Sequence, residues 1–405
     1  MTPESIFINI GPMGCWPFAT NRASKFTKLG VALIQIALVS ATAIGAGPAD
    51  ANYELQRISL PGASGTVALD YFAYDRATGK IWVPASNTGA VDVIDEKTDV
   101  VSQIGGFPTG EIERRGRKIA VGPTAASMGD EVVYIGNRGN ATICTIAATT
   151  LARGECVPVS ADRAVTPDGV VYVAATRELW ATLRPKSGDN APAKSLEVFE
   201  ASDPHHLKPK TKIALENLAE GYAVDNERGI FFTNIEDVGK TVAIDLRSHK
   251  VIATWNPGSS DLQGLAFDNA HNILFVACGD HVVSIDAGHG GKVIDSITTG
   301  PGLDNIDYSL DRKLLYAAAS QAATLTIAEV DDHGKFHLRA TVATVKGARG
   351  VVAGKGETAY LIDPTEGCIL KLTRKSERPL SVFSQDNRFA DLGPRVVELA
   401  GRFER

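Results

Sequence analysis

Six polar residues stand near the start of a repeated sequence pattern, and their side chains are of types that bind cations or small polar molecules. Carboxylates and amide oxygens that converge on one point bind hard cations such as Ca²⁺ or Mg²⁺. An arginine among them favours instead a carboxylated or hydroxylated small molecule, held by bidentate and single hydrogen bonds. A structural ion pair, and a polar, water-filled channel without chemistry, stay open as alternatives. The six candidates are Asp70, Glu220, Gln263, Asp304, Asn305 and Arg349.

The elements that must position these residues belong to a repeat of about 40 residues. The clearest copies begin at Glu220, Gln263 and Asp304, and an earlier one begins at Asp70. Each copy reads as a short strand, a polar turn and a second strand centred on an aromatic residue, which is the pattern of a β-hairpin. Two more strands usually follow, and four antiparallel strands make one blade of a β-propeller. Since the innermost strands of a propeller line its central channel, we expect the candidates to converge there.

The aromatic residues of the second strands count the blades and predict seven. Two wide gaps between them indicate insertions, at 111–118 and at 184–209. The last blade lacks an outer strand, which the segment 53–60 can supply by pairing the two ends of the fold. The sequence therefore predicts an all-β fold at 52–374, a seven-bladed propeller of four-stranded antiparallel blades. The seven aromatic residues are Trp82, Tyr134, Tyr172, Phe232, Phe275, Tyr316 and Tyr360.

The third and fourth strands of the repeat carry a family resemblance. A Val-x-Val-Ile-Asp strand such as 91–95, followed by a turn and a Val-Val or Val-Ile strand, resembles the YVTN-type or YncE-like propellers of bacterial envelopes over 53–374. The resemblance implies a seven-bladed fold in the cell envelope and a binding protein whose ligand it does not specify.

A weaker similarity links the channel candidates to the senescence-marker and gluconolactonase propellers. Those proteins hold a divalent metal with a Glu, an Asn and an Asp from separate blades, and the metal activates a lactone. The resemblance implies Glu220 and Asp304 as metal ligands and Ca²⁺ or Mg²⁺ as the ion. This sequence departs from the pattern because Asp304 and Asn305 are adjacent on one strand, where successive side chains point to opposite faces.

The first 51 residues have the form of a secretory signal peptide. Arg22, Lys25 and Lys28 precede an apolar run at 29–46, and small residues before Asn52 suit cleavage after Ala51. The alternative is a membrane-anchoring helix, because 18 mostly apolar residues can just span a bilayer. Cleavage predicts a periplasmic or secreted protein; Met13 is an alternative start.

Charge and cysteine spacing narrow the function classes. A formal net charge of −6 makes nucleic acid an unlikely partner, and we expect the basic run at 113–118 to be a solvated loop. No cysteine lies in a CxxC spacing, which removes zinc-finger and thioredoxin-like readings. Cys144 and Cys156 flank a turn, so they are candidates for a disulfide in an oxidising compartment; two buried small hydrophobes are the alternative. The tail 375–405 has apolar spacing compatible with a short helix.

These observations predict an exported propeller that acts as a ligand-binding or protein-interaction module through its channel face and the segment 184–209. The expected partner is a small molecule or an envelope protein, and the expected state is a monomer. A metal-dependent, lactonase-like hydrolase is the alternative, with a metal-bound water as nucleophile. A DNA-contacting envelope propeller is the third hypothesis. His205 and His206 are expected in a surface turn, and no serine-hydrolase, phosphate-loop or zinc-protease motif occurs.

Overall fold

Seven four-stranded antiparallel sheets build the fold, as the repeat predicts. The computed structural model describes residues 52–114, 116–186 and 194–375. Within these ranges the only helical element is a single 3₁₀ turn at Ser86–Thr88. No helix of this described part is both long and apolar enough to cross a membrane. The expected signal peptide at 1–51 and tail residues 376–405 lie outside the described residues.

Blades 1 to 3 each have four strands, and a separate two-stranded hairpin, β6–β7, lies between blades 1 and 2. The strands up to the end of blade 3 are β1 (Tyr53–Ser59), β2 (Ala73–Asp75), β3 (Lys80–Ala85), β4 (Ala90–Asp95), β5 (Val101–Ile104), β6 (Gly110–Arg114), β7 (Arg117–Val121), β8 (Pro123–Met128), β9 (Val132–Asn137), β10 (Thr142–Ala147), β11 (Arg153–Pro158), β12 (Val165–Val173), β13 (Glu178–Pro185), β14 (Ser195–Glu200) and β15 (Lys208–Ala214).

Blades 4 to 6 are regular, and each runs from an inner to an outer strand in chain order. Blade 7 combines the last three strands with β1. These strands are β16 (Ala219–Asp225), β17 (Ile230–Ile235), β18 (Lys240–Asp245), β19 (Lys250–Trp255), β20 (Leu265–Asp268), β21 (Ile273–Cys278), β22 (His281–Asp286), β23 (Lys292–Thr298), β24 (Leu303–Ser309), β25 (Leu314–Ala319), β26 (Thr324–Val330), β27 (Phe336–Ala343), β28 (Val351–Ala353), β29 (Ala359–Asp363) and β30 (Cys368–Arg374).

The two ends of the described chain close the ring. Strand β1 pairs antiparallel with β30 from Tyr53 opposite Arg374 to Ser59 opposite Cys368, and so becomes the outer strand of blade 7. This confirms that the N-terminal strand completes the last blade. Closure gives blade 7 four strands like the other blades and ties the two ends of the propeller together.

Aspartates at the strand ends make the turns that repeat from blade to blade. The carboxylate of Asp75 accepts backbone N–H groups of Ala77 and Thr78 at 2.9 and 3.3 Å. Asp225 and Asp268 bond in the same way two and three residues ahead. These are Asx turns, which reverse the chain with local hydrogen bonds alone. They explain why the hairpin pattern is legible in the sequence.

The core lies between the blades. The second and third strands of each blade are almost wholly buried, whereas the outer strands alternate with solvent. The repeated aromatic residues fill these interfaces, and Trp82, Tyr134, Phe232, Phe275, Tyr316 and Tyr360 are each fully buried. Flat blades that stack face to face thus give the fold seven small cores rather than one large core.

One aromatic in the blade count was wrong. Tyr172 lies in the inner strand β12, and the second strand of blade 3 is β13, whose fully buried aromatic is Trp180. The segment 184–209 is therefore not an insertion into a blade, since it contains the end of β13, all of β14 and the start of β15. The error arose because the apolar run in β12 is as dense as that of a second strand. The other expected insertion, at 111–118, is the hairpin β6–β7.

The four cysteines of the described chain fall into two classes. Cys144 and Cys156 face each other on β10 and β11, with Cα atoms 4.0 Å apart, and form a disulfide. Cys278 and Cys368 are free and buried. Burial raises the pKa of the Cys278 thiol to about 12, so this thiol is protonated and unreactive at neutral pH.

Candidate functional site

The central channel holds a cavity at each end. The mouth cavity lies where the inner strands begin, has a volume of about 660 Å³ and is lined by residues of every sector of the ring. The far cavity is lined by residues that follow along the same strands, shares Asp70 and Tyr71 with the mouth cavity, and has a volume of about 350 Å³. Asp304 lines the mouth cavity and Asp307 the far one, about 10 Å apart for an extended strand.

A polar residue followed by glycine brings side chains to the mouth in four blades. The pairs begin at Asp168, Glu220, Gln263 and Arg349. Neighbouring inner strands approach so closely here that a Cβ atom on Gly264 would lie 2.8 Å from the Cα atom of Asn305. Glycine is needed at this position because inner strands converge towards the axis of a propeller. Each polar side chain before the glycine is thereby held at the channel wall.

Arg184 is the centre of a buried ionic network on one side of the mouth. Its guanidinium bonds to Asp168 at 3.1 Å and also pairs with Glu220 and Glu236. Asp168 in turn pairs with Arg138, which donates a hydrogen bond to the Pro167 carbonyl. The neighbouring carboxylates raise the pKa of Arg184 although burial alone would lower it. The network joins blades 2, 3 and 4 and holds their inner edges in one geometry.

Arg349 forms a second ionic group on the other side of the mouth. Its guanidinium lies 3.4 Å from Asp70 and 3.0 Å from Asp304, and it donates to the Leu69 carbonyl at 3.1 Å. The pKa of Arg349 is raised, chiefly by Asp70. Arg349 thus ties blades 6, 7 and 1 together. This is the structural ion pair that the sequence left open beside the carboxylate-binding role.

Two tyrosines separate the cavities. The rings of Tyr71 and Tyr222 stack with centroids 5.5 Å apart, and Tyr71 lines both cavities. The Tyr71 hydroxyl donates to Glu220 at 2.8 Å, and the Tyr222 hydroxyl donates to the Val170 carbonyl at 3.0 Å. Burial, together with the charge of Glu220, raises the pKa of Tyr71, so its phenol stays neutral. Tyr71 thus borders both cavities, and its stacked partner Tyr222 lines the far one.

The hairpin β6–β7 borders the mouth cavity. Ile112, Glu113 and Gly116 contribute to its lining, as does Lys194, the residue before β14. The Glu113 amide donates to the Lys186 carbonyl at 3.1 Å, so the hairpin bonds to the end of β13. The basic run of the sequence lies on this hairpin, and its Lys118 pairs with Glu111 at 3.4 Å while both side chains stay exposed.

The mouth cavity is rich in charge and has an acidic excess. Among the described side chains, eight carboxylates line it against four cationic groups, which leaves a balance of −4. The four cations are Arg138, Arg184, Lys194 and Arg349, and three of them are already paired with carboxylates. The carboxylates belong to Asp70, Glu113, Asp168, Glu220, Glu236, Asp237, Asp261 and Asp304.

Five of the six sequence candidates meet at this mouth. Asp70, Glu220, Gln263, Asp304 and Arg349 line the mouth cavity, whereas Asn305 lines the far one, which Asp70 borders as well. Gln263 donates to Asp261 at 2.6 Å. Asp304 and Asn305 are neighbours on one strand but line different cavities, whereas the neighbours Asp70 and Tyr71 line both.

The donor set at Glu220 and Asp304 does not match a divalent metal site. Glu220 is engaged by Arg184 and Tyr71, and Asp304 is engaged by Arg349. A divalent ion that approached either carboxylate would be repelled by the arginine already paired with it. Among the described residues no three His, Cys, Asp or Glu side chains are grouped so that they could hold a metal. His205 and His206 lie in the turn between β14 and β15, where His206 contacts Glu155 at 2.8 Å.

The mouth residues that the sequence did not indicate include the members of the ionic network, Arg138, Asp168, Arg184 and Glu236. Asp168 carried a usable signal, because Asp168-Gly169 repeats the polar-glycine pair of Glu220-Gly221. It was missed because the third repeat was aligned on Tyr172. Arg138 and Glu236 follow the second strands of their blades, where turn residues vary, and no pattern marked them.

Comparison with known proteins supports the fold. No protein-family model matches the chain, and no curated protein matches its sequence. A chain of the mitotic checkpoint complex is similar, with a TM-score of 0.63, 11% identity and coverage of 90% of this chain and 100% of that one. The WD40 repeats of RRP9 give a TM-score of 0.60 at 9% identity, covering 81% and 99%. Virginiamycin B lyase from Staphylococcus aureus gives 0.58 at 11% identity, covering 79% and 99%.

At these identities the likeness establishes a propeller fold and nothing finer. That fold is typical of protein-interaction and ligand-binding modules, and one fold serves many functions. The function must therefore be argued from the site.

Proposed function

We propose that this protein is an exported binding propeller whose mouth cavity takes a small, hydrophilic ligand of net positive charge. The observation that carries the proposal is the balance of eight carboxylates against four cations around one cavity. A concave site of several hundred Å³ with convergent polar groups is the usual form of a small-molecule site. Low-dielectric walls around one sign of charge concentrate ligands of the opposite sign.

The ion pairs of the two arginines, Arg184 and Arg349, favour a cationic ligand over an anionic one. Arg184 and Arg349 are saturated by carboxylates, so a carboxylated ligand would have to displace Asp168, Glu220, Asp70 or Asp304. The carboxylates retain accepting lone pairs after these contacts, because each oxygen can accept more than one hydrogen bond. An ammonium or hydroxyl group of a ligand fits these acceptors. We therefore favour an amino or polyhydroxy compound over the carboxylated one considered from sequence alone.

Export and family membership are parts of the same proposal. Their support is the basic and apolar N-terminal segment, and the repeat that resembles YVTN-type propellers. A pocket that collects a cationic solute is useful outside the cytoplasm, where such solutes arrive from the surroundings.

The experiment is calorimetric titration of the full chain with spermidine, kanamycin and L-arginine, and with malate and gluconate as anionic counterparts. We expect cationic compounds to bind with one site per chain, and affinity to fall as salt rises. Glu236→Gln removes one acceptor at a partly exposed position of the mouth. We expect it to weaken binding about tenfold, the loss of one charge-assisted hydrogen bond.

The matched control is Glu329→Gln, which removes an exposed carboxylate on β26 that pairs with Arg339 at 3.5 Å, far from the channel. Its affinity should equal that of the wild type. Binding of malate or gluconate in preference to the cations, with loss in Arg349→Gln, would overturn the proposal in favour of an arginine-centred carboxylate site.

A further inference from the structure

The far cavity is a second pocket that the proposed function does not use. It lies at the opposite ends of the inner strands from the mouth, beyond the Tyr71–Tyr222 pair. Its volume of about 350 Å³ falls in the range of small-ligand pockets. Unlike the mouth, it is lined mostly by aromatic and aliphatic side chains and carries few charges.

The base of the far cavity is apolar. The stacked rings of Tyr71 and Tyr222 form one wall, and Met128, Leu265 and Ile306 contribute the rest of the base. Aromatic faces and a flexible thioether together accommodate apolar groups of varied shape. The base therefore offers a place for a hydrophobic side chain but no partner for its polar groups.

Two carboxylates and one guanidinium line the far cavity, namely Asp307, Arg76 and Asp70, of which Asp70 is already paired with Arg349 at 3.4 Å. The Asp307 carboxylate accepts the backbone N–H groups of Ala353 and Tyr308 at 2.7 and 2.8 Å, which fixes its position. The Arg76 guanidinium lies 5.8 Å from the centre of the Tyr74 ring. Arg76 makes no ion pair with any residue in the described part of the chain, and its side chain is exposed.

The amide of Asn305 completes the rim. Its oxygen lies against Gly264, and the side chain forms no hydrogen bond within the described ranges. An amide that lines a pocket without a partner is ready to bond to a ligand. The rim thus presents a fixed carboxylate, an unpaired guanidinium and a free amide around an apolar base.

We propose that the far cavity binds a free amino acid with an apolar side chain. Its carboxylate bonds to Arg76, its ammonium group bonds to Asp307 beside Asn305, and its side chain packs on Tyr71 and Tyr222. Guanidinium and carboxylate groups form the strong charge-assisted bonds that such a zwitterion requires. Burial raises the pKa of Asp307, and the charge of Arg76 opposes that shift, so an arriving ammonium ion relieves a desolvated carboxylate.

The test is calorimetric titration of the full chain with L-phenylalanine and L-leucine, and with two derivatives that each lack one charge. N-acetyl-L-phenylalanine loses the ammonium group, and L-phenylalanine amide loses the carboxylate. We expect one site per chain for the amino acids, and affinities at least about tenfold lower for both derivatives, since each loses a charge-assisted hydrogen bond. These comparisons need no variant and are unaffected by folding defects.

Two variants, Arg76→Gln and Asp307→Asn, test whether these side chains bind the carboxylate and the ammonium group of the amino acid. Arg76→Gln should weaken the binding of L-phenylalanine by about tenfold. The contact between the ligand's ammonium group and Asp307 remains, so L-phenylalanine amide should bind the variant and the wild type equally. Arg312→Gln, in the corresponding turn of blade 6, is the control and should bind as the wild type does. Absence of binding by either amino acid, or equal affinity for L-phenylalanine and both derivatives, would overturn the proposal.

Discussion

Asp168 at the channel mouth and Asp92 at the seam between blades 7 and 1 are buried alike, with 3% and 0% of their surface exposed. Their surroundings differ. Asp168 has Arg138 and Arg184 as partners. Asp92 accepts one hydrogen bond from Gln103 at 2.9 Å, and its other oxygen has no partner in the described part of the structure. Burial raises the pKa of Asp92 to about 6.

Buried carboxylates in this propeller therefore have two kinds of environment. At the mouth, the carboxylate of Asp168 is paired with arginines, and these ion pairs hold the blades in one arrangement. At the seam, the carboxylate of Asp92 has no cationic partner in the described structure, so its burial lowers the stability of the fold. In blades 4 and 5 the position of Asp92 in the third strand is occupied by Val242 and Val283. The seam therefore departs from an apolar pattern that the regular blades keep. Substitutions in the two regions should change stability in opposite directions.

The largest effect is expected from breaking the mouth network with Arg184→Met. Three carboxylates then lose their common cation in a largely buried place, and removing one partner of such a group costs about 3–5 kcal/mol. We expect the free energy of unfolding in urea to fall by this amount. Arg339→Met, on the outer strand β27, should change it by less than about 1 kcal/mol. A loss at Arg184 no larger than the loss at Arg339 would remove the distinction between network and surface.

Asp92→Val should stabilise the protein above pH 6. The folded-state pKa of Asp92 lies above its ordinary value near 3.8, so the folded protein holds this proton more tightly than the unfolded chain. Wild-type stability therefore falls as pH rises from about 4 to 6, by about 2–3 kcal/mol, and stays low above this window.

The pH-dependent part of the stability difference between Asp92→Val and the wild type should thus be absent near pH 4 and reach its full value above pH 6. Urea unfolding at pH 4, 5, 6 and 7.5 measures it. Gln103 keeps a partner in the variant, because it also donates to the Pro61 carbonyl at 2.7 Å. A variant less stable than the wild type at pH 7.5 would show that the carboxylate has a compensating interaction at the seam.

Glu178 tests the same comparison with a buried carboxylate that is fully partnered. Burial alone would raise its pKa, but hydrogen bonds from Lys210, His249, Trp180 and Thr176 lower it overall. Its contribution to stability is therefore present above the unfolded-state pKa and is lost as pH falls through the folded-state pKa. Lys210→Met should lower the free energy of unfolding by about 1 kcal/mol at pH 7 and by less in acid. The effect is modest because Lys210 is itself partly exposed.

Lys212→Met is the neighbouring control on β15. Lys212 lies 3.6 Å from Glu197, and both side chains of that pair are more exposed than Glu178. Its cost should stay below that of Lys210→Met at pH 7. Equal losses in the free energy of unfolding for Lys210→Met and Lys212→Met would mean that the burial of Glu178 does not strengthen its ion pair.

The smallest effects come from removing single hydroxyl groups. Tyr71→Phe removes a hydrogen bond to Glu220 and should cost about 1 kcal/mol. Tyr316→Phe should be neutral or slightly stabilising, because the Tyr316 hydroxyl is buried without a partner in the described structure and Phe275 fills the same place in blade 5. Thermal unfolding of both variants checks the pair. A larger cost for Tyr316→Phe than for Tyr71→Phe would contradict the assignment of partners.

Much of the fold could be predicted because its information is local. Asx turns at Asp225 and Asp268 and alternating apolar residues repeat within each blade, so the hairpins, the number of blades and the closing role of 53–60 were legible. Blade 3 failed in detail, because the apolar run around Tyr172 in β12 resembles a second strand as well as an inner one. Local patterns cannot separate the two when both are buried.

The channel residues were partly predictable for the same reason. Positions equivalent in the repeat must converge at the axis, which brought Asp70, Glu220, Gln263, Asp304 and Arg349 to one cavity. The sequence alone thus determined the repeat, the ring and five of the residues that line the mouth cavity. Only the tertiary structure decided their partners and the charge of the pocket, because Arg138, Arg184 and Glu236 reach the mouth from turns and strands far apart in sequence. Ion pairing depends on distances of a few ångströms between blades, and no periodicity encodes those distances.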